Sequence, residues 1–169
     1  VADVERLERE LASRGFALNS ELDPTQELWT DRPPLPTSPI AVQPLELAGR
    51  SVADKLADIR VAMQKNSTEA LIVSQLDEVA WTLNLRGTDV HCTPLFVAYL
   101  IVLSEKAILY VNVRKLTPEV RNHLADNNIE VRPYGPIAAE CSLAIQYDPE
   151  QTNAGLLRTL ADDDSIKLR

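Results

Sequence analysis

Short apolar runs alternate with amphipathic segments along residues 51–134, and this alternation limits the possible folds more than any other feature of the chain. An apolar run of about 4–8 residues is typical of a buried strand, whereas apolar residues spaced three and four apart are typical of a helix with one buried face. Strands that alternate with helices build α/β domains. The alternation therefore predicts an α/β fold in which helices flank a β-sheet.

The individual elements follow from local signals. Ser51 lies three residues before Asp54, which is the spacing of a capping box, and Thr117 followed by Pro118 is typical of a helix start. Residues 104–106 (Ser-Glu-Lys) separate two apolar runs, so we expect a hairpin there, and its antiparallel strands make the predicted sheet mixed. The predicted helices are residues 1–14, 52–65, 75–84, 117–127 and 154–160, and the predicted strands are residues 70–73, 97–103, 107–111, 129–132, 143–147 and 166–168.

A proline-rich segment precedes the alternating pattern. Six of the eleven prolines lie within residues 23–44. Proline has no amide proton and disfavours helix in the residue before it, so we expect an extended connector. Trp29 is expected to pin this connector to a surface. We therefore place the α/β domain at residues 45–169.

Charge and composition argue against several classes of function. The chain has 17 Lys and Arg residues against 25 Asp and Glu residues, a net charge of −8 and a pI near 4.8, whereas a nucleic-acid-binding protein needs a basic surface. No apolar run approaches the ~20 residues that cross a bilayer, and the first residues do not resemble a secretory leader. The two cysteines cannot form a disulfide scaffold of the secreted type. We therefore expect a cytoplasmic protein that binds neither nucleic acid nor membrane.

Familiar catalytic motifs are missing from the sequence. It contains no Gly-x-Ser-x-Gly elbow, no glycine-rich phosphate loop and no His-Glu-x-x-His helix. We interpret Cys141, which has apolar sequence neighbours, as a buried and unreactive thiol, and His123, at helical spacing between Val120 and Leu124, as a partly exposed helix residue. Residues 162–164 are aspartates, interpreted as a solvated turn rather than a cation site. No catalytic residue and no metal ligand are predicted.

The best candidate for a functional site follows the predicted helix 75–84. Gly87 turns the chain there, and Arg86, Asp89 and His91 lie close together in sequence. Loops at the ends of strands and helices are where α/β folds usually meet their ligands, so these three residues are candidate substrate contacts. The alternative is that Arg86 and Asp89 form an ion pair that only organises the loop.

Four stretches of the chain resemble one known family. Residues 76–89 are similar to the middle domain of eukaryotic-type Xaa-Pro aminopeptidases (aminopeptidase P); they read Leu-Asp-Glu-Val-Ala-Trp-Thr-Leu-Asn-Leu-Arg-Gly-Thr-Asp. Residues 28–36 are similar to the linker that enters that domain and read Leu-Trp-Thr-Asp-Arg-Pro-Pro-Leu-Pro. Residues 49–60 resemble the first helix of the domain, and residues 94–103 resemble its hairpin strand. The resemblance covers about residues 28–133.

The resemblance implies a metallopeptidase of three domains. Two α/β domains of the creatinase/prolidase N-terminal type precede a pita-bread catalytic domain, where two divalent metal ions, commonly manganese, activate a hydroxide that attacks the bond before proline. By this resemblance residues 1–22 are the tail of the first domain, residues 23–44 the connector and residues 45–169 the middle domain. The catalytic domain would follow Arg169. We therefore expect neither metal ions nor peptidase activity in this chain alone.

The resemblance also implies a role for the domain. It would narrow the mouth of the active site, with Arg86 meeting a peptide carboxylate or carbonyl and His91 lining the entry. Its expected partners are the catalytic domain of the same polypeptide, proline-containing peptides and a second copy of the chain in a homodimer. The alternative is a catalytically inactive protein-interaction module of the same fold, whose acidic surface would suit a basic partner. A small-molecule enzyme of flavodoxin-like fold would need a phosphate loop, which the sequence lacks.

Overall fold

The computed structural model describes residues 2–19, 25, 28–135, 144–154, 156, 167 and 168. The helices are α1 (Ala2–Ser13), α2 (Leu45–Ala48), α3 (Val52–Lys65), α4 (Leu76–Thr82) and α5 (Pro118–Asp126), with a 3₁₀ helix at Val113–Lys115. The strands are β1 (Ala41–Val42), β2 (Ala70–Val73), β3 (Leu85–Arg86), β4 (Ala98–Leu103), β5 (Ala107–Val111), β6 (Ile129–Pro133), β7 (Ala144–Gln146) and β8 (Lys167–Leu168). The predictions for Cys141, for residues 162–164 and for most of helix 154–160 concern residues outside this description.

Six strands form one mixed sheet in the order β6-β5-β4-β2-β7-β8. Strand β4 runs antiparallel to its neighbours β5 and β2, whereas the pairs β5–β6, β2–β7 and β7–β8 are parallel. Residues 104–106 connect β4 to β5, so the predicted hairpin and the predicted mixed sheet are confirmed. Within this six-stranded sheet, every strand except β4 ends at the same edge, which we call the carboxyl edge of the sheet.

The predicted starts of two helices are confirmed by their capping contacts. Ser51 Oγ accepts a hydrogen bond from the Asp54 amide at 3.1 Å and donates one to Asp54 Oδ2 at 2.6 Å. Thr117 Oγ1 accepts a hydrogen bond from the Val120 amide at 3.2 Å, and Pro118 follows at the first helical position. Each cap satisfies an amide that has no partner within its own helix.

Helix α4 ends at Thr82, earlier than the predicted residue 84. Asn84 has a φ of 51°, in the left-handed region through which a right-handed helix cannot continue. Its side-chain amide donates to the Arg50 carbonyl oxygen at 2.8 Å, and its side-chain oxygen accepts from Lys55 Nζ at 2.7 Å. Contacts with residues 34 and 29 positions earlier therefore accompany the end of the helix, and helical periodicity cannot reveal such contacts.

Buried side chains cover both faces of the sheet. The larger cluster includes Leu56, Val79 and Val120 from α3, α4 and α5, whereas the smaller one, on the opposite face, includes Ile72 and Ile108. All five residues of β5 are buried. A strand covered on both faces needs apolar side chains in both directions, which explains its unbroken apolar run.

The last residues of the proline-rich segment pack against the domain. Ile40 is buried in the larger cluster, and its amide donates to the Lys115 carbonyl oxygen at 2.9 Å. Strand β1 then pairs antiparallel with β3. Trp29, in contrast, is 48% exposed, and the Arg32 guanidinium lies 5.5 Å from the centre of its ring. Only the end of the segment is therefore held by buried contacts among the described residues.

Candidate functional site

The candidate site is built on the 87–97 loop, which connects β3 to β4 at the carboxyl edge of the sheet. The loop folds back on itself: the Gly87 amide donates to the Pro94 carbonyl oxygen at 3.2 Å, and the Asp89 amide donates to the Leu95 carbonyl oxygen at 2.9 Å. The Thr93 amide closes the tip by donating to the Val90 carbonyl oxygen at 3.3 Å. The loop is thus a compact hairpin with a closed base and a short tip.

Glycine is required at the base of this loop. A Cβ atom on Gly87 would lie 2.6 Å from Phe96 Cβ and 3.0 Å from the Leu95 carbonyl oxygen. Both distances are shorter than ordinary van der Waals contact, so any larger residue would push the two sides of the loop apart. The close packing of Gly87 on Phe96 therefore determines how tightly the base closes.

Asp89 lies at the base of the loop, and its side chain is only 1% exposed. Its Oδ2 atom contacts the ammonium group of Lys115, which is also 1% exposed, and accepts a hydrogen bond from the Val97 amide at 2.7 Å. Its Oδ1 atom has no hydrogen-bond partner in the part of the chain that the structure describes. The ion pair of Asp89 is therefore with Lys115, and the Arg86–Asp89 pair considered from the sequence is not formed.

The Arg86 side chain binds backbone carbonyl oxygens of nearby residues in α4 and β3. Its Nη1 atom donates to the carbonyl oxygens of Ala80 at 3.0 Å and Leu85 at 2.8 Å. These bonds hold the half-buried guanidinium against α4. Arg86 therefore does not share a hydrogen bond or an ion pair with Asp89.

Lys55 forms a second buried polar centre next to Arg86. Its ammonium group donates to the Trp81 carbonyl oxygen at 2.7 Å and to Asn84 Oδ1 at 2.7 Å, and it lies 4.2 Å from the centre of the Trp81 ring. Burial lowers the pKa of Lys55, and the positive charges of Arg86 and Arg50 lower it further. These groups stabilise the turn between α4 and β3, the strand that leads into the 87–97 loop.

The tip of the loop is exposed. His91 and Cys92 both lie at the surface, and Cys92 is a free thiol with a φ of 59°. The structure therefore separates the three predicted site residues: Asp89 is buried at the base, His91 is exposed at the tip, and Arg86 lies against α4. His123 is half-buried, as predicted, and its Nε2 lies 2.8 Å from the Leu83 carbonyl oxygen.

Lys55 and Lys115 were not predicted from the sequence as buried charged residues. A signal was present for Lys55, because it lies three residues after Val52 and four before Ile59, on the apolar side of α3. Lys115 follows Val113 and Arg114 in a short segment without periodicity, and no local signal marks it as buried.

A surface cavity of about 640 Å³ lies at the opposite edge of the sheet, around the β4–β5 hairpin. It is lined by Thr68, Glu69, Leu103, Ser104, Glu105, Lys106 and Asn128. None of Arg86, Asp89 and His91 contributes to it.

Among the described residues, no group of three or more His, Cys, Asp and Glu side chains could hold a metal ion. No helix in the described part of the chain has the length and apolar character needed to cross a membrane.

The fold and the sequence together define the class of this protein. Residues 31–168 match the creatinase/prolidase N-terminal domain family, and the chain belongs to that family. The predicted family and fold type are therefore confirmed.

Its relatives are larger aminopeptidases. Aminopeptidase P1 of Lotus japonicus is 43% identical over 136 residues, which are 80% of this chain and 20% of the relative. A "Probable Xaa-Pro aminopeptidase P" of Sordaria macrospora is 45% identical over 108 residues, which are 63% of this chain and 18% of the relative.

The chain also matches a segment of a larger protein of known structure. The X-prolyl aminopeptidase of Caenorhabditis elegans, described as a cytosolic enzyme with a di-nuclear active site, matches with a TM-score of 0.75 and 28% identity. The match covers 79% of this chain and 22% of the other. This chain thus spans about a fifth of the length of the relatives that it matches.

Proposed function

We propose that this chain is a non-catalytic N-terminal domain of a metal-dependent Xaa-Pro aminopeptidase, and that its 87–97 loop shapes access to the active site. Support for the first part comes from the relatives, which are aminopeptidases about five times as long as the segment they share with this chain. The catalytic domain would belong to the same polypeptide. Its two metal ions, for which we propose manganese, would activate the attacking water there.

The access role rests on one observation: the 87–97 loop has a buried, ion-paired base and an exposed tip. The pair between Asp89 and Lys115 holds the base, whereas His91 at the tip is open to contact. A loop that is already ordered pays little conformational entropy when it contacts a substrate or a second domain. Loops at the carboxyl ends of strands are also the usual ligand sites of α/β folds. His91 would line the entry, and Arg86 would support the loop from α4 and meet a peptide carbonyl or carboxylate.

Kinetics of the complete enzyme test this role. We expect His91→Ala and Arg86→Gln to raise KM for Xaa-Pro peptides and to leave kcat nearly unchanged, because the loop would contribute to substrate binding before the chemical step. Glu105→Ala serves as the control, since Glu105 is exposed in the β4–β5 hairpin at the opposite edge. Unchanged KM values in both loop variants would refute the access role.

A separate assay tests the non-catalytic assignment. Paired metal ions need several carboxylate and imidazole ligands, and we propose that this chain alone does not hydrolyse an Xaa-Pro peptide when manganese is added. Hydrolysis at enzyme-like rates would contradict the proposal. If the complete polypeptide also lacks hydrolysis, the interaction module becomes the better assignment.

The remaining proposals concern location and assembly. We propose a cytoplasmic enzyme, which is supported by the cytosolic Caenorhabditis elegans relative. We also propose proline-containing peptides as substrates and a homodimer as the assembly. Size-exclusion chromatography with light scattering would measure the mass of the complete enzyme, and a monomer would overturn the last of these.

A further inference from the structure

We propose that Lys115 is a positioning residue that holds the 87–97 loop in place for the access role, and this inference rests on the function proposed above. Lys115 lies 26 positions after Asp89 in sequence, yet its ammonium group contacts the Asp89 carboxylate. Both side chains are 1% exposed, so water screens their attraction very little. The pair therefore joins the loop to the end of the 3₁₀ helix that follows β5.

Lys115 is itself firmly held. Its amide donates to the Asn112 carbonyl oxygen at 3.0 Å, and its carbonyl oxygen accepts from the Ile40 amide at 2.9 Å. Asn112 Oδ1 caps the same turn by accepting from the Arg114 amide at 3.1 Å. The end of β5 and the end of the proline-rich segment thus both determine where the Lys115 backbone lies. An ammonium group on such a backbone is a suitable fixed point for a loop.

Asp89 links Lys115 to the two sides of the loop base. Its Oδ2 atom accepts from the Val97 amide at the far end of the loop, and its own amide donates to the Leu95 carbonyl oxygen. One residue therefore closes the base of the loop and also binds Lys115. Because Oδ1 has no hydrogen-bond partner among the described residues, Lys115 is the main compensation for the buried negative charge.

Without Lys115, the loop would still close on itself but would lose its ion pair with the 3₁₀ helix that follows β5. The bonds from Gly87 to Pro94 and from Thr93 to Val90 lie within the loop and do not require Lys115. We therefore expect removal of the pair to loosen the loop as a unit and to move the exposed tip, including His91. The catalytic groups of the complete enzyme would not be altered directly.

The experiment compares three variants: Lys115→Met, the double variant Asp89→Asn/Lys115→Met, and Lys106→Met as a matched control. Lys106 also forms an ion pair, with Glu130 at 2.6 Å, but its side chain is 40% exposed and lies at the opposite edge. Hydrogen exchange followed by mass spectrometry on the 169-residue chain reports loop order, and KM and kcat of the complete enzyme report function. The double variant leaves no unpaired buried charge, so it keeps the test valid if Lys115→Met does not fold.

We expect exchange in residues 87–97 of the double variant to be faster by about tenfold or more, with residues 107–111 unchanged, because a local contact is lost without global unfolding. KM should rise severalfold and kcat should stay the same, and Lys106→Met should show neither change. Unchanged exchange in the loop would overturn the positioning role of Lys115. Faster exchange with unchanged KM would support that positioning role and would overturn the access function instead.

Discussion

Lys55 lies beneath the Trp81 ring: its ammonium group is 4.2 Å from the ring centre and donates to the Trp81 carbonyl oxygen at 2.7 Å. Trp81 is 48% exposed, whereas Lys55 is almost fully buried. The order of exposure is thus reversed from what residue type alone suggests. The reason is that the ammonium group satisfies two oxygen atoms at the turn after α4, and the aromatic ring covers it from solvent.

Replacement of this lysine should destabilise the fold. Lys55→Met would remove the donor of Asn84 Oδ1 and one donor of the Trp81 carbonyl oxygen, which also accepts from the Asn84 amide at 3.3 Å. We expect a loss of about 1–3 kcal/mol in the free energy of unfolding. Urea unfolding followed by circular dichroism measures this loss. Lys65→Met is the matched control, because Lys65 is exposed at the end of the same helix. Equal stabilities of the two variants would contradict the role assigned to Lys55.

The difference in stability between the wild-type chain and Lys55→Met should depend on pH, because the pKa of Lys55 is lowered in the folded state. Between that lowered pKa and the ordinary lysine pKa of 10.5, the unfolded chain binds a proton at this site that the folded chain has released. Stability therefore rises with pH in this window, since the unfolded state binds more protons. Lys55→Met lacks this contribution. We expect the stability gap between the wild-type chain and the variant to widen as the pH approaches 10.5, which urea unfolding at several alkaline pH values would measure.

Closure of the loop base depends on Gly87. Gly87→Ala places a Cβ atom 2.6 Å from Phe96 Cβ, and we expect a loss of about 1–3 kcal/mol in the free energy of unfolding because the loop must shift. Gly135→Ala is the control, since a Cβ atom there has no neighbour within 4 Å. Thermal or urea unfolding measures both variants. A Gly87→Ala chain as stable as Gly135→Ala would mean that the base tolerates a side chain.

The Asp89–Lys115 pair should show strong coupling in a double-mutant cycle. Lys115→Met leaves a buried carboxylate without its counter-charge, and such a change typically costs about 3–5 kcal/mol. Asp89→Asn/Lys115→Met removes both charges and should be clearly more stable than Lys115→Met. Urea unfolding of the wild-type chain, the two single variants and the double variant gives the coupling energy. Additive effects would show that the two side chains do not interact energetically.

Acidification should weaken the ion pairs that Glu130 in β6 forms with Lys106 and Arg132. Hydrogen bonds from Lys106 and Arg132 lower the pKa of Glu130 below the ordinary glutamate value of 4.5. The stability that Glu130 contributes is therefore present above pH 4.5 and is lost as the pH falls through the lowered pKa. The side chain is 38% exposed, so we expect a small effect. Glu130→Gln should lose less stability than the wild-type chain between pH 7 and pH 3, and an equal loss would contradict the assignment.

Local signals in the sequence predicted much of the fold. The capping contacts of Ser51 and Thr117 connect residues only three positions apart, and helix α3 has the predicted bounds of 52 and 65. The apolar runs likewise predicted β2 and β5 at their observed bounds. Caps and periodicity depend on neighbours within one turn or one strand, so the sequence contains them directly.

The arrangement of the candidate site depended on the tertiary structure. Local patterns predicted the longer helices, the strands of the large sheet, its mixed character, the family and the position of the loop, but not α2, β1 or β3. Three features emerged from the folded structure alone: Asp89 pairs with Lys115, Arg86 binds the Ala80 carbonyl oxygen, and Lys55 is buried. The physical reason is that the partner of a buried charge depends on which distant segments exclude water around it, and no local pattern contains that information.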